Sequence, residues 1–390
     1  MNPIEAMFST ETVDSIDFET FLEEEFGQKD DFNENFTTEK EVEIDIGDIE
    51  SLLVMPRFNR ELMEHEKTMA ETIQEMDRRS WSRGIGLKTI FPLLTQKLNG
   101  IQPGLAFVGG ESNMGKSGFL LMIAHTTPRI DNAYSIYFSI DDSAVDLLPR
   151  VIANQKRIPI NSIRLPATYQ QYPKILERRK EGLEELYQLV DKFKIIDQDR
   201  IFAEPNIDPE TDDIKNIETI EKVIRQHYDY FKENNIDKKL FIQIDSFHDL
   251  ESRDQKFISE VQKFSYLATR LKDLAEELDI PIWCTGELKK LGGKRRPIKE
   301  DLREANKIIY KATLILMVYN EVGEEGSNAE VYFRTPEKPG KQPVFEVDFV
   351  KNKQSEYKGR LYYEFLTDYA LYTECTPEDM EKYNNLIYSQ

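Results

Sequence analysis

The chain has 390 residues and a formal net charge of −21, and these quantities bound what kind of protein it is. The length fits one large α/β domain with appendages, or two modest domains. Two cysteines, Cys284 and Cys375, exclude a disulfide framework and a cysteine-rich metal site, and the four histidines are scattered. No apolar stretch is long enough to cross a bilayer and the N-terminus is acidic, so we expect a soluble, cytoplasmic protein.

The negative charge is concentrated at the N-terminus. Residues 1–50 hold 17 aspartates and glutamates against two lysines, which leaves a charge of only −6 on the remaining 340 residues. Six phenylalanines lie among these carboxylates, but charge repulsion and sparse apolar area cannot offset the entropy lost on folding. We therefore predict that residues 1–55 are an acidic, disordered tail. The tail either only solvates the protein or binds a partner.

A helical pattern follows the acidic tail, between residues 60 and 78. Four apolar residues recur there at steps of seven, four and three, which puts them on one face of a helix. They are Leu62, Met69, Ile73 and Met76. One amphipathic helix cannot bury this face by itself. Residues 56–84 are therefore predicted to be a linker helix that docks on its own domain or on a neighbouring subunit.

The most specific motif of the chain lies between residues 110 and 118. It matches the phosphate-binding template G-x-x-x-x-G-K-[ST], with a short apolar strand before it and an apolar helix after it. In such a loop, backbone N–H groups converge on a phosphate and the following helix adds its positive end. A glycine-rich turn with a chance Lys-Ser pair is the alternative, but it does not explain the flanking strand and helix. The predicted nucleotide-binding residues are Gly110, Glu111, Ser112, Asn113, Met114, Gly115, Lys116, Ser117 and Gly118.

Three side chains are assigned to the triphosphate and its metal ion. Lys116 is expected to reach the β- and γ-phosphate oxygens, and the Ser117 hydroxyl is a candidate ligand of Mg²⁺. Asp245 closes the apolar run at 240–244, where a carboxylate would hold Mg²⁺ or its water shell opposite Ser117. The alternative for Asp245 is an ordinary helix-capping aspartate.

Apolar β-rich runs alternate with helical ones beyond the phosphate loop. This alternation predicts an α/β fold with a mostly parallel central sheet that is covered by helices. Strands are predicted at 133–140, 240–244, 282–285 and 312–319, a helix at 257–278, and a C-terminal β-hairpin at 344–350 and 361–365. In open α/β sheets ligands bind at the carboxyl ends of the strands, and the candidate chemistry should lie there.

Two further segments follow strand ends. Asp141 and Asp142 come after the strand at 133–140, and one of them is a candidate for polarising the water that attacks the γ-phosphate, although Asp-Asp-Ser is also common in turns and caps. After the strand at 282–285 comes a glycine-containing basic segment, which suits either a loop along a nucleic-acid backbone or a solvated surface loop. Its cations are Lys289, Lys290, Lys294, Arg295 and Arg296.

Taken in order, these segments resemble the RecA-type motor domain of hexameric replicative DNA helicases of the DnaB type. The resemblance covers about residues 85–366, inside a domain bounded at 85–372, and leaves 373–390 as a C-terminal tail. Besides the phosphate loop, it rests on the entry segment Gly86–Gly104, on Tyr137–Ser143, on Leu271–Ile282, on Arg296-Pro297 with Asp301–Glu304, and on Lys351-Asn352-Lys353, where the family has Lys-Gln-Arg.

The resemblance implies a homo-oligomeric ring, a hexamer, that hydrolyses ATP with Mg²⁺ at subunit interfaces and translocates on single-stranded DNA. Asp141 takes the place of the family's catalytic glutamate, and Glu287 that of a glutamine that senses the γ-phosphate. Lys353 falls where an arginine finger would reach the neighbouring subunit's nucleotide, with Lys351 beside it. Arg360 is the alternative finger. The basic segment would grip DNA, and the linker helix would dock on the adjacent subunit.

The chain departs from the family pattern at three of these positions. Asp141 is one methylene shorter than glutamate, Glu287 is charged where an amide is expected, and Lys353 lacks the planar two-pronged donor of arginine. The family's N-terminal helical domain has no counterpart in the sequence, and the acidic tail in its place is a candidate contact for a replication partner. A RecA-type switch or accessory DNA-binding factor with weakened hydrolysis therefore stays open beside the helicase. An unrelated P-loop kinase or small-molecule ATPase fits the order of the strands less well.

Overall fold

The computed structural model describes residues 53–54, 58, 60–82, 86–289, 294–303, 305–336 and 338–388. The chain divides into two compact units, Met1–Gly84 and Ile85–Gln390. Nearly all of the predicted acidic tail, and Lys290 of the basic segment, lie outside the described residues.

The first unit contains helix α1, Glu64–Ser82, which begins four residues later than the predicted pattern. Arg60 precedes the helix, and its guanidinium pairs at 2.6 Å with the carboxylate of Glu66 in the first turn. Leu62 also precedes the helix. The apolar side chains Met69, Ile73 and Met76 are 60%, 50% and 59% exposed. Among the described residues of the first unit, the helix thus carries an exposed apolar face, and docking of that face remains a prediction.

A large sheet organises the second unit. Its strands in the described part of the chain are β1 Gly104–Gly109, β2 Ala133–Ser139, β3 Phe193–Ile196, β4 Lys239–Asp245, β5 Pro281–Gly286, β6 Leu314–Asn320, β7 Tyr332–Thr335, β8 Lys338–Asn352, β9 Arg360–Leu366 and β10 Leu371–Glu374. They lie in the order β10-β9-β8-β6-β1-β5-β4-β2-β3, and β7 pairs with β8. The six strands from β6 to β3 are parallel, whereas β7, β8, β9 and β10 are joined by antiparallel pairing.

Helices cover both faces of this sheet. The helices of the second unit are α2 Pro92–Leu98, α3 Lys116–Ile130, α4 Ala144–Lys156, α5 Ile160–Arg164, α6 Pro173–Tyr187, α7 Ile217–Glu233, α8 Glu260–Leu278, α9 Ala305–Lys311, α10 Glu321–Glu325 and α11 Pro377–Tyr388. Helices α2, α3 and α4 pack on one face, and α7, α8 and α9 on the other. The predicted α/β fold is confirmed. None of the helices in the described ranges is both long and apolar enough to span a membrane.

The parallel strands carry apolar side chains toward both faces because successive residues of a strand point in opposite directions. On β1, Ala106 and Val108 join the core under α3, and Leu105 and Phe107 join the core under α8. The predicted helix at 257–278 begins later, at Glu260, because the Ser259 side chain accepts the N–H of Gln262 and caps it.

Parallel pairing brings several strand ends together at one edge. Gly109 at the end of β1 lies beside Gly286 of β5 and Met317 of β6, and Ser139 at the end of β2 lies beside Asp245 of β4. The loops that follow these strands therefore all lie at the same edge of the sheet.

The C-terminal residues are part of the folded unit and do not form the expected tail from 373 onward. Strand β10 ends at Glu374, and α11 packs its buried Tyr383 against Tyr362 of β9, with ring centroids 5.6 Å apart. Val344 and Cys375 belong to the same small core. The segment folds because its apolar residues find a partner surface on the antiparallel strands, which a local reading of the sequence does not reveal.

We expect Tyr383→Ala to lower the free energy of unfolding by about 3 kcal/mol, because it removes a fully buried ring from this small core. Urea denaturation measures the change. Asn385→Ala, at an exposed position of the same helix, serves as the control and should alter stability by less than about 0.5 kcal/mol. Equal stability of Tyr383→Ala and the wild type would mean that α11 is not docked.

Candidate nucleotide-binding and motor site

The phosphate loop joins the end of β1 to the start of α3. The chain turns there through positive φ angles at Asn113 (64°) and Gly115 (103°). A Cβ atom at Gly115 would come within 2.8 Å of the Tyr372 hydroxyl, so a glycine suits this position both by its backbone conformation and by its close neighbour. The first N–H groups of α3 have no acceptor within the helix, and they begin at Lys116.

The Lys116 side chain folds back along the loop. Its ammonium group donates to the carbonyl oxygens of Gly110 at 2.8 Å and Glu111 at 2.7 Å. Burial lowers the pKa of this ammonium below its usual value, and the negative charges of Asp245, Glu287 and Glu111 oppose the shift. A cation is therefore held inside the loop among carboxylates, where an anionic phosphate chain would find a partner.

Asp245 ends β4 as a buried carboxylate whose two oxygens are both engaged. The Tyr137 hydroxyl donates to Oδ2 at 2.7 Å, and the Thr285 hydroxyl donates to Oδ1. Burial, together with this neighbouring carboxylate, raises the pKa of Tyr137 well above its ordinary value, so the phenol stays protonated. Donors on the flanking strands β2 and β5 thus fix the orientation of the Asp245 carboxylate.

The acidic pair after β2 divides into two environments. Asp141 is exposed, and among the described residues it has no ion pair or side-chain hydrogen bond. Asp142 lies 3.5 Å from the guanidinium of Arg150 on α4. The backbone N–H of Ile140 donates to the Asp245 carbonyl at 2.7 Å, which holds the start of this turn against the end of β4.

Glu287, which follows β5, is held by two neighbours. The Arg303 guanidinium approaches its carboxylate at 3.3 Å, and its backbone N–H donates to Nδ1 of His248 at 3.0 Å. Burial lowers the pKa of His248 to about 4, so at neutral pH the ring is uncharged and Nδ1 is free to accept. The negative charge noted at this position is therefore offset by a cation of its own chain.

One cavity of about 530 Å³ collects these groups. It brings together six of the nine predicted loop residues, Ser112, Asn113 and those at 115–118, with Asp141, Asp245 and Glu287, whereas Gly110, Glu111 and Met114 do not line it. The individual roles of these residues stay predictions. Sequence reasoning missed several lining residues, among them Arg150, Ser246, Asp249, Thr285, Phe365 and Tyr372.

The missed residues differ in the signal that the sequence offers for them. Ser246 and Asp249 directly follow the Asp245 strand end, and Arg150 follows Asp142 by two helical turns, so their proximity to those motifs could have found them. Phe365 and Tyr372 come from β9 and β10 and carry no local signal.

The cavity suits a nucleoside triphosphate with Mg²⁺. It combines a lysine cation and unpaired helix N–H groups with the oxygen ligands that Mg²⁺ prefers, the Ser117 hydroxyl and the Asp245 carboxylate. Nowhere among the described residues do three His, Cys, Asp or Glu side chains gather into a metal cage. Mg²⁺ at a nucleotide is commonly held by one or two protein groups plus phosphate oxygens, so this donor set is sufficient.

Lys351 and Lys353 lie at the other edge of the sheet. Strand β8 runs antiparallel to β6, and the Lys353 N–H donates to the Thr313 carbonyl at 2.9 Å, immediately before β6 begins. Lys353 is exposed, whereas the Lys351 ammonium donates to the Ile309 carbonyl. Burial and the charge of Lys353 lower the pKa of Lys351 to about 8.

Arg360, the alternative finger, is not available for that role. Its side chain is 9% exposed and pairs with Asp348 at 2.8 Å and with Glu346 at 3.3 Å. These two carboxylates of the same chain hold the guanidinium inside the β8–β9 hairpin. Lys353 remains exposed.

The described cations of the basic segment after β5 are all paired within the chain. Arg296 donates to Glu346 and Glu321, each at 2.7 Å, and Arg295 forms a two-pronged pair with Asp301. Because Glu346 is 1% exposed, Arg296 neutralises a carboxylate in the core and cannot also bind DNA phosphate. Lys289 lies 4.0 Å from Asp301 and Lys294 lies 3.3 Å from Glu325, but both lysines stay at the surface, 57% and 54% exposed.

Residues 86–373 match the family described as the DnaB-like helicase C terminal domain. Replicative DNA helicase DnaB of Pasteurella multocida (strain Pm70) is 26% identical over 283 residues, which cover 68% of this chain and 54% of that protein. A probable replicative DNA helicase of Trieres chinensis is 25% identical over 240 residues, 60% of this chain and 48% of that protein. The chain thus spans about half the length of these curated relatives.

Solved structures show the same fold. One structure of an isolated ATPase domain superposes with a TM-score of 0.63 at 18% identity, over 81% of this chain and all of that chain. A DnaB-like replicative helicase studied with its primase interactions superposes with a TM-score of 0.61 at 18% identity, over 84% of this chain and 70% of that chain. With the family match extending over most of its length, the chain belongs to the DnaB-like helicase C-terminal domain family.

Proposed function

We propose that this protein is an ATP-dependent DNA helicase of the replicative, DnaB-like type. It would assemble into a homo-oligomeric ring, a hexamer, hydrolyse ATP at the subunit interfaces and translocate along single-stranded DNA. Family membership supports the motor chemistry, and the geometry of the second unit supports the assembly.

The observation that carries the proposal is the separation of two sets of charges across the sheet. The phosphate loop and Asp245 lie at the carboxyl ends of the parallel strands, whereas Lys353 lies beside Thr313, immediately before β6 begins. A strand of seven residues spans about 23 Å, so Lys353 cannot reach the nucleotide of its own chain. A second copy that presents this edge to the cavity would supply the missing cation.

Within one chain, each group has a separate task in hydrolysis. Lys116 would neutralise the β- and γ-phosphates, while Ser117 and Asp245 would hold Mg²⁺ between the phosphate oxygens. Asp141, exposed and without a partner in the described residues, would accept the proton of the attacking water. Lys353 of the neighbour would stabilise the charge that develops on the transferred phosphate.

Contacts around Glu287 offer a route from nucleotide to DNA. Its carboxylate lines the cavity and pairs with Arg303, and the Arg303 N–H donates to the Glu287 carbonyl at 2.9 Å. The Lys289 N–H donates to the Asp301 carbonyl at 2.8 Å. A shift of Glu287 on hydrolysis would therefore move the paired segments at 287–289 and 301–303, which frame the basic segment.

The second candidate is a nucleotide switch that binds DNA with little unwinding. The pairing of Glu287 with Arg303 favours it. A carboxylate has no amide N–H to offer a γ-phosphate, and this carboxylate is already neutralised by a cation of its own chain. Strand displacement on a forked substrate separates the two candidates. A helicase unwinds the fork with ATP, and a switch only changes its DNA affinity with nucleotide.

Lys116→Ala should reduce ATP turnover by about 100-fold or more, because it removes the cation that meets the transferred phosphate. Steady-state phosphate release measures this effect. Lys232→Ala, at the exposed end of α7, is the matched control and should keep the wild-type rate. Unchanged turnover in Lys116→Ala would refute the nucleotide site.

Lys353→Ala should lower turnover by about 10²-fold or more in the assembled protein, because the neighbour's active site loses its finger. Lys358→Ala, another exposed lysine between β8 and β9, should have no such effect. Mixing Lys353→Ala with Lys116→Ala subunits creates interfaces with an intact phosphate loop on one side and an intact lysine on the other. We expect such mixtures to regain activity, and a strictly additive rate would place Lys353 outside the neighbour's site.

The double variant Lys289→Ala/Lys294→Ala should bind single-stranded DNA more weakly and reduce the slope of log K against log salt by about 1.4, at about 0.7 per lost phosphate contact. Fluorescence anisotropy of a labelled oligonucleotide at several salt concentrations gives the slope. The control is Lys180→Ala, a 78%-exposed lysine of α6. A wild-type slope in the double variant would exclude these lysines from the DNA contact.

A further inference from the structure

A hydroxyl from the far C-terminal end of the chain touches the phosphate loop. Tyr372, on β10, is 1% exposed, and its Oη donates to the carbonyl oxygen of Gly115 at 2.8 Å. The same carbonyl accepts the N–H of Phe119 at 3.0 Å, the first hydrogen bond of α3. Two donors therefore fix one carbonyl at the point where the loop becomes a helix.

Fixing this carbonyl also fixes an N–H group. A peptide unit is planar and trans, so the carbonyl of Gly115 and the N–H of Lys116 point in opposite directions. The N–H of Lys116 belongs to the first turn of α3 and has no acceptor within the helix. With the carbonyl held by Tyr372 and Phe119 on the core side, that N–H is aimed away from the core, toward the cavity.

The tyrosine ring is itself held rigidly. It stacks on Phe365 with centroids 4.2 Å apart and planes within 7°, and it meets Phe345 and Phe119 edge-on at 5.0 and 5.5 Å. A Cβ atom at Gly118 would come within 2.8 Å of the hydroxyl, so the absence of a side chain there admits the ring. A donor on such a rigid support keeps its direction in the empty and in the loaded site.

We propose that Tyr372 is a positioning residue of the nucleotide site, whose hydroxyl locks the Gly115–Lys116 peptide so that its N–H meets the phosphate chain of the nucleotide. This inference rests on the proposed function and extends it to the antiparallel strands, which in this view brace the phosphate loop. In this proposal Tyr372 acts on the binding of the phosphate chain of the nucleotide. The competing possibility is that its ring contacts the nucleobase, since the ring also lines the cavity.

The test removes one oxygen atom. Tyr372→Phe loses the hydroxyl and keeps the ring in its aromatic cluster. Tyr363→Phe is the matched control, because Tyr363 is equally buried, packs on Phe119 at 5.3 Å, and its hydroxyl has no partner among the described residues. The Gly115 carbonyl keeps the Phe119 N–H in both variants, so both should stay folded at the assay temperature. Tyr363→Phe should unfold at the wild-type temperature, and Tyr372→Phe slightly below it because it loses one buried hydrogen bond.

Binding is measured with a fluorescent ADP and Mg²⁺, and unlabelled pyrophosphate is then used as a competitor. We expect Tyr372→Phe to bind both ADP and pyrophosphate about fivefold more weakly, the equivalent of ~1 kcal/mol for one net hydrogen bond. The KM for ATP should rise by the same factor with kcat little changed, because the N–H serves ground state and transition state alike. Tyr363→Phe should equal the wild type throughout.

Four results would overturn the inference, and they have different meanings. If the wild type itself fails to bind ADP, the proposed function falls and takes the inference with it. If the wild type binds and Tyr372→Phe binds equally well, only the brace is wrong. A loss for ADP without a loss for pyrophosphate makes Tyr372 a nucleobase contact. An equal loss in Tyr363→Phe shows a general effect of the aromatic core.

Discussion

The structure depends on one constraint, the parallel alignment of the strands that surround β1. Because β1, β5, β4 and β2 run in the same direction, the phosphate loop, Glu287, Asp245 and Asp141 all emerge at one edge of the sheet. Apolar side chains on both faces of these strands lie in the core, so a change in the alignment would expose buried apolar surface and destabilise the fold. The chemistry is thus assembled by the sheet, from segments that are far apart in the chain.

The same sheet places the nucleotide cavity and Lys353 at opposite edges. Antiparallel strand β8 returns the chain to the opposite edge and leaves Lys353 there, exposed, while Arg360 is drawn into pairs with Asp348 and Glu346. In the proposed ring, the exposed Lys353 of one copy would meet the nucleotide cavity of the next. The exposed apolar face of α1 is the second feature that a neighbouring copy would cover.

Site residues could be predicted where a motif or strand end marks them within a few residues of the chain, and could not where their partners are distant in sequence. The phosphate loop, Asp245 and Asp141 were found because a motif or a strand end marks them within a few residues. The pairing of Arg296 has no local signal in the sequence, because its partners, Glu321 and Glu346, lie 25 and 50 residues away. Tyr372 was missed because 257 residues separate it from Gly115, and the segment after 373 was expected to be a tail because its core partners lie on β8 and β9. Pairing across the antiparallel strands leaves no periodic trace in the sequence.

In the proposed ring, two copies of the chain would complete each site of hydrolysis, and the ATPase rate per chain at increasing protein concentration tests this most directly. Particle mass should be recorded alongside, with a nonhydrolysable ATP analogue and with single-stranded DNA. We expect a rate per chain that climbs steeply as oligomers form, reaches a plateau and rises further with DNA. A rate per chain that stays constant from dilute monomer to concentrated protein, with or without DNA, would contradict it.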